Sequence, residues 1–326
     1  MGPGWYHRAG SLQFTLASNR QHTMSAGHSR PKTSSRKIWG TWLIVAPAWL
    51  AAHLPLRAVV ACGRAVGWLG YYLAARRRHI TETNMGLCFP QLNQAERRAL
   101  ARKTFQHVGV GALETAVTWL TRRETAPRFT VDGIEHLQEA QALQRGVLLV
   151  GYHFTAPDIS SQAISRLVDT DVMYRANRNP VWERLQVAGR KRYHDGVVER
   201  SDTRSVLRKL KAGHTIVYLA DQDYGPKHSV FAPFFGVPAA SITAPTRLAR
   251  LNNSPVVFME TTRDWHTLTW HVTFSEPLAD YPSDDEVADA TRLNALVEAA
   301  VARHPDQYLW LHRRFKTRPD GEAPLY

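Results

Sequence analysis

The sequence predicts an α/β fold, a layered mixed sheet with helices on both faces, preceded by an N-terminal membrane helix. Between Phe129 and Arg303, short runs rich in Val, Ile, Leu and Tyr alternate with longer segments of helical composition, the pattern of strands joined by crossover helices. One of these runs, Val147-Leu-Leu-Val150, is apolar without alternation, as expected of a strand covered on both faces. Ahead of them, Ile38 to Leu56 carries about a bilayer's length of apolar residues. A chain of 326 residues, 44% hydrophobic and 21% charged, accommodates one large domain and an accessory segment.

Residues 1–36 lack helical or strand periodicity and read as a disordered lead, within which Met24 is an alternative start. Residues 37–78 form a membrane-associated helical segment. Trp39, Trp42 and Trp49 suit an interface, Pro47 and His53 weaken a clean span, and basic residues on both sides leave a monotopic helix as the rival. Val59 to Ala75 contains Arg64 and ends in Arg76-Arg-Arg78, which reads as an amphipathic helix with its arginines at headgroup level. Residues 79–326 form the remaining domain.

In that domain, Asn93 to Thr121 has helix-forming composition, and Gly109-Val-Gly111 reads as close helix packing rather than a dinucleotide fingerprint. Strands are expected at 129–131, 147–150, 172–174, 197–198, 215–219 and 256–260, with an antiparallel one at 268–274. Helices are expected at 134–144, 157–167, 180–193, 203–211, 244–251 and 284–303.

His153 and Asp158, in Gly151-Tyr-His-Phe-Thr-Ala-Pro-Asp158, directly follow the buried strand. Imidazole titrates near neutrality, so a histidine past a strand end is suited to accept a hydroxyl proton, and a nearby carboxylate would fix its tautomer. Within one helix, five residues would part the two side chains by roughly 140°, so the pairing requires His153 in the loop and Asp158 opening the helix. The structural alternative is a helix start, with Thr155 as cap and Asp158 satisfying backbone amides.

Downstream stand Tyr174-Arg-Ala-Asn-Arg-Asn-Pro180, Asp221-Gln-Asp-Tyr-Gly-Pro-Lys227, Ser229-Val-Phe-Ala-Pro-Phe-Phe-Gly236 and Gln307-Tyr-Leu-Trp-Leu-His-Arg-Arg-Phe-Lys-Thr-Arg-Pro319. With the histidine motif, in this order, they resemble the late acyltransferases of lipid A biosynthesis, within the wider glycerolipid acyltransferase group. The resemblance runs from about Ile38 to the C-terminus and includes Asn84-Met-Gly-Leu-Cys-Phe-Pro90 and Leu113-Glu-Thr115. Members of the lipid A family usually carry glutamate where this chain has Asp158, whereas the wider group uses aspartate.

The resemblance implies a glycerolipid acyltransferase-like fold and transfer of an acyl chain from acyl carrier protein to a hydroxyl of a lipid A precursor. It implies no other cofactor, and a bacterial inner membrane location with the catalytic domain on the cytoplasmic side. His153 would deprotonate the acceptor and Asp158 would orient it. No Gly-x-Ser-x-Gly elbow occurs, which favours direct transfer over an acyl-enzyme, and no His-Glu-x-x-His or paired-cysteine array suggests a metal.

Arg175, just past a strand, is the expected grip on an acceptor phosphate or the thioester oxygen, against a surface salt bridge. Asp221 and Asp223 face the same crevice and either meet the acceptor or tie down a Gly-Pro loop. Lys227 is a candidate phosphate contact, and Phe231, Phe234 and Phe235 are core residues of which one or two would line an acyl groove. Arg313 and Arg314, with Lys316 and Arg318, form a basic cluster suited to headgroup or carrier docking, or simply to a solvated face. Asn177 and Asn179 shape the turn before Pro180.

The formal net charge of +13 favours an anionic partner: a carrier protein, anionic inner-membrane lipids or nucleic acid. The third lacks a binding motif or aromatic stacking platforms here. Another glycerolipid or lysophospholipid acyltransferase is the remaining alternative, and the Asp-Tyr-Gly-Pro and C-terminal strings speak against it. Cys62 and Cys88 read as small apolar fillers without disulfide spacing.

Overall fold

A computed structural model describes residues 35–121 and 128–326. The expected disordered lead and the choice between Met1 and Met24 lie outside the described residues. Four helices come first: α1 (Ser35–Ala52), α2 (Leu56–Leu73), α3 (Ala75–Cys88) and α4 (Gln94–Leu120). Asn93 caps α4, accepting from the Ala95 and Glu96 amides while Glu96 returns a bond to the Asn93 amide, so two orphan donors are satisfied reciprocally.

Seven strands form the main sheet: β1 (Arg128–Asp132), β2 (Val147–Gly151), β3 (Thr170–Tyr174), β4 (Gly196–Glu199), β5 (Thr215–Leu219), β8 (Val256–Asp264) and β9 (Thr269–Phe274). Their spatial order is β1-β9-β8-β2-β5-β3-β4. All neighbours are parallel except β8 and β9, so the sheet is mixed, as expected, and β9 is its antiparallel turning point. The crossovers are α5 (Ile134–Ala142), α6 (Pro157–Ile164), α7 (Pro180–Arg190), α8 (Thr203–Lys211) and α9 (Ala244–Asn252); α10 (Glu286–Arg303) follows β9. Two cores flank the sheet. Leu148 and Val150 point into one with Val206, Leu248 and Leu293; Val147 and Leu149 point into the other with Leu137, Ala163 and Ile164. Period-two alternation along a strand apolar on both sides produces this division.

A hairpin of β6 (Ser229–Phe234) and β7 (Val237–Ile242), absent from the sequence expectation, packs on α10. Its two turn residues, Phe235 (φ 51°) and Gly236 (φ 74°), are both left-handed, the conformation that matches strand twist in a two-residue hairpin.

The N-terminal segment departs from expectation. Among the described residues no single helix is long and apolar enough to cross a membrane. Pro55 begins a new helix after α1, and α2 and α3 meet at a bend of 92°. Instead α2 buries Val59, Val60, Gly63, Gly67 and Tyr71, largely against α4, and exposes Val66, Trp68, Leu69, Tyr72 and Leu73, so its outer face is largely apolar as well, where the pattern predicts an amphipathic helix. On α1, Trp42, Leu43, Ile44, Trp49 and Leu50 are exposed as well. Gly109 is packed where a Cβ would lie 2.2 Å from the Gly63 carbonyl oxygen, so the expected close helix approach is found. Cys88 is buried, but Cys62 is exposed on α2 rather than filling a core.

Candidate active site

The carboxyl ends of four parallel strands converge on one crevice. His153 lies two residues past β2, Asp221 and Gln222 just past β5, Arg175 next after β3 and Arg200 next after β4. This edge is where parallel α/β sheets hold ligands, because the crossovers leave a crevice between diverging loops. His153, Arg175, Arg190, Arg200, Gln222 and Tyr224 line a cavity of about 270 Å³ there.

His153 does not pair with Asp158. Its Nδ1 donates to Asp221 Oδ1 at 2.5 Å, and the His153 amide donates to both oxygens of the same carboxylate at 3.2 Å. The cause is register. Gly151 of β2 is paired with Leu219 of β5, so residues two positions past each strand end face one another. Gln222 Nε2 lies 3.2 Å from His153 Nε2. With Nδ1–H on the aspartate, Nε2 keeps the lone pair and accepts from the Gln222 amide. The imidazole is 22% exposed, so Nε2 is the basic atom open to the cavity.

Asp221 is sealed from solvent. Burial raises its pKa, but the electrostatic pull of the His153 imidazole and the hydrogen bond from it outweigh burial and hold the carboxyl well below its usual range. The Tyr308 hydroxyl approaches the same carboxylate without completing a full hydrogen-bond geometry. His312 gives Nδ1–H to the Leu309 carbonyl at 2.6 Å and leaves Nε2 without a partner. Burial lowers the His312 pKa to about 4, so this ring is neutral.

Asp158 sits in the first turn of α6, as the helix-start reading expects, but its oxygens bond neither His153 nor the backbone amides of that turn. Its Oδ1 accepts from Trp119 Nε1 and Arg190 Nε, each at 3.2 Å, and its Oδ2 from Thr115 Oγ1 at 3.1 Å. It thus joins α6 to α4 and α7 and holds Arg190, which lines the His153 cavity. Thr155 is not the helix cap either. Ala156 holds that position, while the Thr155 hydroxyl and carbonyl accept from the buried Arg263 guanidinium.

Of the other expected residues, Arg175 is exposed and lines the same cavity as His153. Asp223 ties the loop down instead of facing the cavity: it accepts from the Gly225 and Thr317 amides and the Thr317 hydroxyl, with Lys316 Nζ 3.5 Å away. Lys227 is exposed in the turn before β6, away from the cavity. Arg313 lies over the Tyr326 ring at 5.8 Å. Arg314 is a correction: it is buried, donating to the Ala240 carbonyl, the Ser241 hydroxyl and Asn294 Oδ1, and it braces the hairpin against α10 rather than meeting a headgroup. Asn177 and Asn179 shape the turn as expected, Asn179 capping α7 through the Val181 amide.

Arg190, Arg200, Gln222 and His312 are not among the residues that the sequence singles out. Arg190 carries no motif signal, whereas Gln222 stands inside Asp221-Gln-Asp223 and His312 inside the tail string, where they were legible as context only.

A second cavity, about 600 Å³, adjoins the first and shares Met173, Arg200, Tyr218 and Tyr224 with it; Val206, Ile242, Leu248 and Leu251 form its apolar wall. Its size lies within the ~300–1,000 Å³ of small-molecule sites. Phe231, Phe234 and Phe235, expected at such a groove, line neither cavity: Phe234 is core, Phe235 packs against it and Phe231 is exposed. Among the described residues, no cluster of histidines, cysteines or carboxylates has metal-binding geometry.

Comparison with known proteins follows the same line. The family model for bacterial lipid A biosynthesis acyltransferases matches residues 27–317. The chain is 36% identical over 292 residues to the lipid A biosynthesis lauroyltransferase of Escherichia coli strain K12, which covers 89% of this chain and 95% of that one. It is 32% identical to the palmitoleoyltransferase of the same organism, with the same coverage, and 29% identical to the myristoyltransferase over 297 residues, 89% of this chain and 91% of that one.

Proposed function

The chain belongs to the bacterial lipid A biosynthesis acyltransferase family, and on that premise we propose that it moves a fatty acyl chain from acyl carrier protein to a hydroxyl of an acylated lipid A precursor, with His153 as general base and Asp221 as its orienting partner. The observation that carries this reading is the 2.5 Å His153–Asp221 bond on the wall of a cavity that adjoins a larger apolar one.

In this mechanism the acceptor hydroxyl displaces Gln222 from His153 Nε2 and gives that atom its proton. The oxygen attacks the thioester carbonyl, the carbon–sulfur bond breaks, and the departing thiolate takes the proton from the imidazolium. Asp221 holds the reactive tautomer and stabilises the transient positive charge, a contribution that a fully buried carboxylate makes strongly. Arg190, aligned by Asp158, and Arg175 face the developing oxyanion or an acceptor phosphate. The acyl tail occupies the larger cavity, whose wall is made by Val206, Leu248 and Leu251. No serine or cysteine nucleophile takes part.

The exposed aromatic and aliphatic faces of α1 and α2 support attachment to the cytoplasmic side of the inner membrane by partial immersion, with Arg57 and Arg76 among the anionic headgroups and Arg64 turned back over the Trp265 ring at 4.7 Å. Arg77 and Arg78 are engaged inside the protein, by the Leu311 and Tyr71 carbonyls. Residues 37–78 thus serve as the membrane segment and 79–326 as the catalytic domain.

The test is transfer from radiolabelled acyl carrier protein thioester to a purified lipid A precursor, with mass spectrometry of the product. Transfer undiminished in a folded His153→Ala enzyme would remove the base from this mechanism; no product with the wild type would remove the donor or acceptor.

A further inference from the structure

The outer face of α8 carries three cations in one stripe. Arg204, Arg208 and Lys211, at spacing i, i+4, i+7, fall within about 60° of arc, while Val206 and Leu210 on the opposite side are buried. All three are exposed. Among the described residues none of them forms an ion pair: Arg208 donates to the Ser205 hydroxyl at 2.7 Å, and the nearby carboxylate, Asp202, caps α8 by accepting from the Ser205 amide at 3.1 Å. Neighbouring cations are in use. Lys209, on another face of the same helix, lies 2.7 Å from the buried Asp171, and Arg247 of α9 is paired with Glu286 at 2.9 Å.

The position of the stripe gives it meaning. Thr203 and Val206 of α8 line the large apolar cavity, which shares Met173, Arg200, Tyr218 and Tyr224 with the cavity at His153. The stripe therefore begins, at Arg204, next to the residue of the first turn of α8 that borders this cavity, and runs along the solvent face of the same helix. Large exposed apolar residues, which a lipid surface would require, are absent from α8 and concentrated on α1 and α2.

We propose that the Arg204–Arg208–Lys211 stripe is the docking ridge for an acidic carrier protein, which lies along α8 and delivers its thioester into the cavity beside it. The proposal rests on the carrier-dependent reading above. Complementary charge at an interface rim accelerates encounter and fixes orientation without touching the chemistry. The stripe consequently acts on KM for the carrier thioester and on its salt dependence.

The test uses the full chain and its charge reversal R204E/R208E/K211E. The expected result is a KM for acyl carrier protein thioester raised by about tenfold or more, kcat at saturating donor within about twofold of wild type, a flattened dependence of kcat/KM on ionic strength, and unchanged sedimentation with vesicles of phosphatidylglycerol and phosphatidylethanolamine. The conservative R204K/R208K variant keeps the wild-type KM. An unchanged KM in the reversal, or a fall in kcat with KM constant, overturns the proposal; loss of vesicle binding with KM constant overturns it and assigns the stripe to the membrane. Wild-type transfer from acyl-coenzyme A but not from the carrier thioester would instead overturn the donor reading, and the docking ridge with it.

Discussion

His153 and Asp221 stand two residues beyond the ends of paired parallel strands, and their side chains meet at 2.5 Å. The pairing is a consequence of sheet order: β2 and β5 are 68 residues apart in the chain at these positions yet adjacent in space. Asp221→Asn keeps the shape and removes the charge, and its amide is free to present the wrong hydrogen-bonding group to Nδ1. Turnover is expected to fall by roughly 10³–10⁴, comparable to losing an orienting aspartate elsewhere. Steady-state kinetics check this outcome, and a decrease below tenfold would argue against this partner.

Asp158 is expected to behave differently, because its oxygens hold Arg190, Trp119 and Thr115. Asp158→Asn leaves the His153–Asp221 bond intact. It should reduce kcat/KM by about tenfold to a hundredfold, as the loss of one aligned cation does. A fall in Asp158→Asn as deep as that in Asp221→Asn would show that this carboxylate acts through the imidazole after all.

Much of the scaffold was legible in the sequence, and the failures have physical causes. Helix α4 could be read because Asn93 and Glu96 form a capping pair ahead of a long run of helix formers. The β6–β7 hairpin could not, because Phe235 takes the left-handed turn position where Asn would have signalled it. His153 was visible as a titratable residue beyond a buried strand. Its partner was not: the nearest carboxylate in sequence, Asp158, competes with one whose proximity depends on strand order, and strand order is not written in local spacing. Arg314 illustrates the converse. In the sequence it belongs to a basic run, but packing takes it alone out of solvent to satisfy the Ala240 carbonyl and Asn294.

Two buried histidines set the acid limit of stability. Burial lowers the pKa of His312 and of His194 to about 4. In the unfolded chain each binds a proton near pH 6.5, so below that pH the unfolded state holds more protons than the folded one. Stability is therefore complete above about pH 6.5 and declines as the pH falls towards 4, by roughly 1–3 kcal/mol per histidine. Urea midpoints at pH 7.5, 6, 5 and 4.5 should fall monotonically. The slope should be shallower in His194→Gln, whose amide can still bond the Thr170 and Ser161 hydroxyls that now hold the ring.

Glu114 and Arg263 form a fully buried ion pair at 2.6 Å, and Arg263 also holds the Thr155 hydroxyl and carbonyl behind the His153 loop. Trp270 Nε1 donates to the other Glu114 oxygen at 3.0 Å. Glu114→Ala strands the guanidinium without a counter-charge, at a cost of about 3–5 kcal/mol. A large fall in the thermal midpoint, with activity following the folded fraction, is the outcome that calorimetry and an activity assay at reduced temperature should find. A midpoint within 2 °C of wild type would contradict it.

The crossing of α2 and α4 supplies a last prediction, in which two similar substitutions differ in sign. Glycine in a helix interior costs about 1 kcal/mol relative to alanine, so Gly→Ala normally stabilises. At Gly40 on α1 nothing lies within 4 Å of an added Cβ, and Gly40→Ala should be neutral or stabilise by up to about 1 kcal/mol. At Gly67 the same Cβ would lie 2.0 Å from the Phe105 carbonyl oxygen and 2.6 Å from the Gln106 Cα. These are backbone atoms, which no rotamer change can move aside. The helices must separate, losing contacts around Tyr71 and Phe105, whose rings meet edge to face at 5.6 Å. The packing penalty of about 1–3 kcal/mol or more exceeds the propensity gain. Gly67→Ala should therefore lower the thermal midpoint while Gly40→Ala does not, because only at Gly67 does the backbone of α4 occupy the space that a methyl group needs.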